Sequence, residues 1–195
     1  MQAIKTTQEK KRALQILENA FNQSPGIIWM IGNNPVKAKS LLNLFLFEAS
    51  VNNGAYLTKD NNGVLLFFQL HQNHFSLQLI VKKIYALFFV MGIKRGIQAL
   101  KYKKRIDKVR PKQGWLGWLV ATDSTAVGNA AAYEIKNFMF NRSDETNAPV
   151  FVETTVPRVR LLYLRAGYTQ YASIKHPYHN LDIWFLKREP NSTIN

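Results

Sequence analysis

The sequence predicts an α+β domain, and three observations carry that expectation. Helical apolar spacing fills most of the first half of the chain around one hairpin-like pair of strands. From residue 114 the rhythm changes to strand, turn, helix, strand, helix and two closing strands. No stretch rich in Gly or Ser divides the chain, so residues 1–195 read as one domain. Residues 1–74 form its N-terminal helices and hairpin, and residues 114–190 its core. The 47% hydrophobic content excludes wholesale disorder.

Each element has a local reason. Leu14, Leu17, Ala20 and Phe21 recur with a helical period over residues 8–22, and Ser24-Pro25-Gly26 ends that helix. Gly26 to Ile31 reads as a short strand. Pro35 suits the first turn of a helix carrying Leu41, Leu42, Leu44, Phe45 and Ala49, which stops near Asn52-Asn53-Gly54. A hairpin follows, with arms at 54–59 and 64–71 and a turn at Asp60-Asn61-Asn62-Gly63. Residues 75–107 are helical in spacing, bent around Gly92 and Gly96 and closed by Pro111.

In the second half, Gly114 to Ala121 is a buried strand and residues 122–125 a turn. A helix over 126–141 buries Ala131, Ile135, Phe138 and Met139, and residues 142–148 form a polar loop. A strand at 150–154 leads to a short helix from Pro157 to Ala166, stopped by Gly167. Two strands, 168–174 and 181–187, close the chain.

Charge is the abnormal quantity: 26 Lys+Arg stand against 12 Asp+Glu, a net of +14. The excess is local. Residues 82–112 hold 11 basic side chains against the single Asp107, whereas residues 113–195 hold 8 basic and 7 acidic ones. Such a run is most often the solvated face of a helix, or else it meets an acidic partner. Tyr102 is the sole aromatic inside the cluster at 101–112, so a nucleic-acid arm ranks below the solvated face.

The chain has no cysteine, which excludes a disulfide framework, a thiolate nucleophile and a Cys-based zinc site. His71, His74, His176 and His179 do not form a zinc signature, so no metal is expected. The longest uncharged apolar run, Ile84 to Ile93, is about half the ~20 residues a bilayer span needs. Residues 1–7 lack the pattern of a secretory signal. A cytoplasmic protein with no transmembrane segment is the expectation, and a homodimer is left open.

The text Pro149-Val150-Phe151-Val152-Glu153-Thr154-Thr155-Val156-Pro157-Arg158, then Leu162-Tyr163-Leu164-Arg165-Ala166-Gly167-Tyr168, resembles the GCN5-related N-acetyltransferase (GNAT) family. The strand Trp115 to Ala121 and the ending Asp182 to Arg188 fit the same resemblance, which covers roughly residues 75–190. It implies the acyl-CoA N-acyltransferase fold, a mixed and mostly antiparallel twisted sheet with helices on both faces. It also implies acetyl-coenzyme A as cofactor and a small-molecule or peptide amine as acceptor.

The resemblance assigns roles residue by residue. Leu119, Val120 and Ala121 would line the cofactor from the strand, and a backbone N–H of that strand would polarise the acetyl carbonyl. Ala126, Val127, Gly128, Asn129, Ala130 and Ala131 would cradle the pyrophosphate at a helix N-terminus. Here Ala126 stands where the family carries Arg or Gln, and Asn129 where it carries Gly, the residue after which Asn best tolerates a left-handed backbone. This register turns Ile135, Phe138 and Met139 inward, and a slip of one would turn Tyr133, Glu134 and Asn137 inward instead. Tyr163 would be the general acid for the departing thiolate, against the alternative of a half-buried core tyrosine. Glu153 would be the base, against the alternative of a structural pair with Arg158 or Arg160. Val156 replaces the Asn expected seven residues before the Tyr. With Ala126, it motivates a second reading, a catalytically impaired binding module on the same fold. The basic stretch would add to the field that draws in an anionic coenzyme.

Overall fold

The computed structural model describes residues 1–70, 72, 74–125 and 128–191. Its elements in order are β1 (Gln2–Ala3), α1 (Thr7–Phe21), α2 (Pro25–Ile31), α3 (Pro35–Val51), β2 (Ala55–Leu57), β3 (Gly63–Gln69) and α4 (Leu77–Tyr85). A π-helical turn (Ala86–Val90) then leads to α5 (Ile93–Val109), β4 (Trp115–Thr122), α6 (Ala130–Thr146), β5 (Val150–Thr154), α7 (Pro157–Arg165), β6 (Thr169–Lys175) and β7 (Asp182–Arg188).

The seven strands form one sheet in the order β1-β2-β3-β4-β5-β7-β6. All neighbours are antiparallel except β4 and β5, which run parallel. That single exception follows from α6, the crossover helix between them, since a parallel pair needs a long connection. The α+β expectation, mostly antiparallel with helices on both faces, is what the chain adopts.

Strand alternation sorts the core onto two faces. Val64 and Leu66 of β3 point to the face covered by α1, α2 and α3, where Ile16, Leu17, Leu41 and Leu42 are fully buried. Leu65 and Phe67 point to the opposite face, against Ile135 and Met139 of α6 and the Tyr163 side of α7. Helix α5 returns to the first face, where Ile106 meets Ile183 and Phe185 of β7. Each fully buried Leu or Ile contributes about 1.5–3 kcal/mol of transfer free energy.

Three expectations need correction. Residues 25–31 are a helical turn pair and not a strand. Pro25 opens it and Ile27 and Ile31, four apart, are its buried residues, a spacing that a six-residue apolar run cannot display against a strand reading. Residues 142–146 continue α6 where a polar loop was expected. Ser143 is buried and its hydroxyl donates to the Ala148 carbonyl (2.7 Å), while Asp144 accepts from Arg188 (2.9 Å), and the left-handed Asn147 closes the helix. Finally, the 75–107 segment breaks at Met91–Gly92, as expected there, whereas Gly96 lies within the continuous helix α5.

Candidate functional site

Strand β4 is paired along its whole length with β3 but meets β5 only through Trp115–Val150, Leu116–Phe151 and Gly117–Val152. Beyond Gly117 the two parallel strands part. The parting point is tightly packed: a Cβ on Gly117 would lie 2.7 Å from Met139 Cε and 3.1 Å from Val152 Cγ1. The register against β3 also slips here, with Leu66 opposite Leu119 and Phe67 opposite Gly117, so Trp118 is an extra residue. Such a bulge twists the strand and takes a backbone unit out of the ladder. Leu119, Val120 and Ala121, the three strand residues expected at a cofactor, lie in the stretch that has no β5 partner.

The open end of this gap leads to the start of α6. Asp60, Thr122, Asp123, Gly128, Asn129, Ala130, Ala131 and Ala132 line a surface hollow there. The first amides of α6 have no intrahelical acceptor, and the helix is 17 residues long, so its N-terminus favours an anion. Gly128 takes φ +86° with open space around its Cα, whereas Asn129 sits at φ −109°. The left-handed position expected at Asn129 is therefore on Gly128, and Asn129 needs no special tolerance. Ala126 and Val127 lie outside the described residues. Ala131, Ile135 and Met139 are buried, as the chosen register requires, with Phe138 partly buried.

Two carboxylates border the hollow, and both are occupied. The Thr125 amide and hydroxyl donate to Asp123 Oδ1 (2.9 and 2.7 Å), and Arg12 Nη2 donates to Oδ2 (2.7 Å). These bonds, Thr125 first, hold the Asp123 carboxyl down at about 2. Arg12 also donates to the Asn61 carbonyl (2.9 Å) and Asn62 Oδ1 (3.1 Å), so α1 ties the β2–β3 turn to the end of β4. Asp60 accepts from the Thr58 hydroxyl (2.6 Å), which lowers its pKa.

On the α6/α7 face, Tyr163 packs against Tyr168 edge to face (5.1 Å between ring centres) and joins the cluster holding Val152 of β5 and Val120 of β4. Burial pushes its phenol up to about 12, so it carries its proton at neutral pH. Among the described residues the hydroxyl makes no hydrogen bond.

Glu153 projects to the other face. Its carboxylate is gripped by Arg110, Nε to Oε1 at 2.7 Å and Nη2 to Oε2 at 2.9 Å, and not by Arg158 or Arg160. Tyr102 and Tyr171 are close enough for the Glu153 charge to raise both phenols, after the larger effect of burial. Beside them an aromatic cluster joins three elements. Trp29 of α2 lies 5.7 Å from Tyr102 of α5, and 4.5 Å from His176 and 5.8 Å from Tyr178 of the β6–β7 loop. His176 is buried. Its Nδ1 accepts from the Tyr178 amide (3.2 Å), Nε2 finds no partner among the described residues, and desolvation, then His179, lowers its pKa. His176 lies in the β6–β7 loop, and the role of Arg110 as the partner of Glu153 has no local mark inside its basic stretch.

No family model matches the chain, and no curated protein matches it in sequence. Solved structures do match in fold. The Corynebacterium glutamicum histone acetyltransferase HPA2 and related acetyltransferase superposes with TM-score 0.66 at 18% identity, over 98% of this chain and 96% of that one. Arylalkylamine N-acetyltransferase 2 from Aedes aegypti gives 0.64 at 12% identity, over 97% and 98%. The Drosophila melanogaster polyamine N-acetyltransferase gives 0.64 at 10% identity, over 93% and 95%. The chain therefore has the GNAT acetyltransferase fold, as the resemblance implied. No cluster of metal-ligating side chains and no helix long and apolar enough to cross a membrane occurs among the described residues.

Proposed function

We propose that the protein is an acetyl-CoA-dependent N-acetyltransferase acting on a primary amine. The observation that carries this reading is the parting of β4 from β5 after Gly117, with the bulge at Trp118 on one bank and the α6 N-terminus at its end. The residues fit the cofactor: an extended arm can pair with the edge of 119–121 that faces away from β3, and a pyrophosphate can meet Gly128 and the first amides of α6 at Ala130, Ala131 and Ala132. The two bordering carboxylates do not oppose it as bare charges, because Asp123 is paired with Arg12 and Asp60 is internally bonded.

Bound acetyl-CoA supplies an activated acetyl thioester. Tyr163, neutral and donor-competent, holds the proton for the leaving sulfur. Glu153 takes the ammonium proton directly or through water. Arg110 uses two of the roughly four acceptor sites of that carboxylate and leaves two. With no cysteine in the chain to form a thioester acyl-enzyme, the amine attacks directly. The second reading, a cofactor-binding module without turnover, is favoured by Val156 at the start of α7, where the resemblance expects Asn. We take the protein to be a single-domain cytoplasmic enzyme.

Calorimetry with acetyl-CoA tests the reading. Binding in the micromolar to low millimolar range is expected, and no heat at millimolar cofactor removes it. Binding without acetylation of any amine in a panel of arylalkylamines, polyamines and peptides points to the module.

A further inference from the structure

The arm between β3 and β4 carries more exposed apolar surface than the proposed reaction uses. Its inner side is anchored. Leu79, Ala86 and Val90 are buried, Lys83 Nζ reaches Glu48 Oε1 of α3 at 2.6 Å, and Lys82 lies over the Phe47 ring at 5.1 Å. Its outer side is not. Leu77, Val81, Ile84 and Phe88 follow one another at helical spacing and are 70%, 64%, 50% and 52% exposed. The row resumes on α5 with Ile93, Ile97 and Leu100, all more than half exposed. The α5 start crosses the π-helical turn closely: a Cβ on Gly96 would stand 2.9 Å from the Leu87 carbonyl. That crossing joins the start of α5 to the π-helical turn that ends the first row, and Lys101, Lys104, Arg105 and Lys108, all exposed, extend the second one.

We propose that this outer side docks on an anionic lipid bilayer surface, lying in its interface. A helical face of Leu, Ile and Phe flanked by Lys and Arg matches the chemistry of that boundary, where the rows enter the acyl layer and the cations meet lipid phosphates. Neither helix is long enough to cross it. Charge selects this occupant over the others. A second copy would bring the same 11 basic residues against one Asp, so like would face like. Nucleic acid would satisfy the cations but offers no apolar layer to receive seven aliphatic and aromatic side chains. The bilayer satisfies both.

Vesicle sedimentation of the full chain tests this. The protein pellets with phosphatidylcholine vesicles containing about one third phosphatidylserine and stays in solution with phosphatidylcholine alone, and bound protein falls as salt rises. L77S/V81S/I84S and, separately, K101Q/K104Q/R105Q each lower partitioning roughly ten-fold or more, since each cation near such a surface is worth about five-fold. Circular dichroism checks that the variants fold, and the lipid and salt series on the native chain stands without them. Failure to pellet with the anionic vesicles overturns the proposal. So does equal binding to neutral vesicles, or a dimer in sedimentation equilibrium that L77S/V81S/I84S dissolves while lipid binding is absent. Acetyl-CoA binding is measured separately and is unaffected by either outcome.

Discussion

Arg110, the residue that ends α5, holds Glu153, near the end of β5, through two parallel hydrogen bonds of 2.7 and 2.9 Å. The basic helix is thereby fixed to the strand that borders the candidate cleft. Both side chains are less than one-fifth exposed, so the pair is largely desolvated. Removing the guanidinium leaves a carboxylate in poor solvent, and we expect Arg110→Ala to cost about 2–3 kcal/mol in urea denaturation. The double variant Arg110→Ala/Glu153→Ala recovers part of this. A loss below about 0.5 kcal/mol would place the pair among ordinary surface bridges.

Tyr163→Phe separates chemistry from binding. The ring stays and the edge-to-face contact with Tyr168 survives, so the fold and the cofactor affinity are nearly unchanged. Turnover falls by roughly two orders of magnitude or more if the phenol is the acid. Because its pKa is raised to about 12, the phenol keeps its proton through pH 10. A kcat profile of the native enzyme accordingly shows no alkaline fall from this group below that pH. Equal turnover in the variant withdraws the assignment.

Gly117 of β4 lies against Val152 of β5 and Met139 of α6, and a side chain there wedges them. Gly117→Val forces Met139 and Val152 aside and costs about 1–3 kcal/mol. Thermal denaturation reads the loss. An unchanged midpoint would show that Met139, whose thioether end is flexible, absorbs the new group.

Acid titration probes the bond between α1 and the end of β4. The folded pKa of Asp123 is held at about 2, below its ordinary 3.8, so the folded state binds fewer protons between those values. Its stabilisation is full above about pH 4 and is lost as pH falls towards 2. Asp144, lowered chiefly by Arg188, acts in the same sense. Denaturation midpoints should therefore drop steeply from pH 4 to 2. In Asp123→Asn the drop is shallower, and an unchanged slope would show that this carboxylate does not set it.

The C-terminal half was legible because its elements are long or sharply punctuated. Pro157 and Gly167 bracket α7, and Val150-Phe151-Val152 can only be a buried strand. The α2 residues were not legible, since six apolar residues fit either period and Trp29 owes its place to Tyr102 and His176, which come from distant parts of the chain. The parting of β4 and β5 could be asked for but not read, because it depends on how far α6 reaches before the chain turns back. Glu153 was visible as a carboxylate at a strand end. Its partner lies 43 positions earlier, inside a charge run that looked merely solvated.

Among the described residues, the three strand pairings from Trp115 to Gly117 join the first four strands of the sheet to the last three. Mechanically the sheet is two plates sharing a short seam, and shear between them concentrates on that seam. A molecule filling the cleft spans both plates and becomes the missing length of seam. Occupancy should therefore be felt far from the contact itself, as slower amide exchange in β3 on one plate and in β7 on the other.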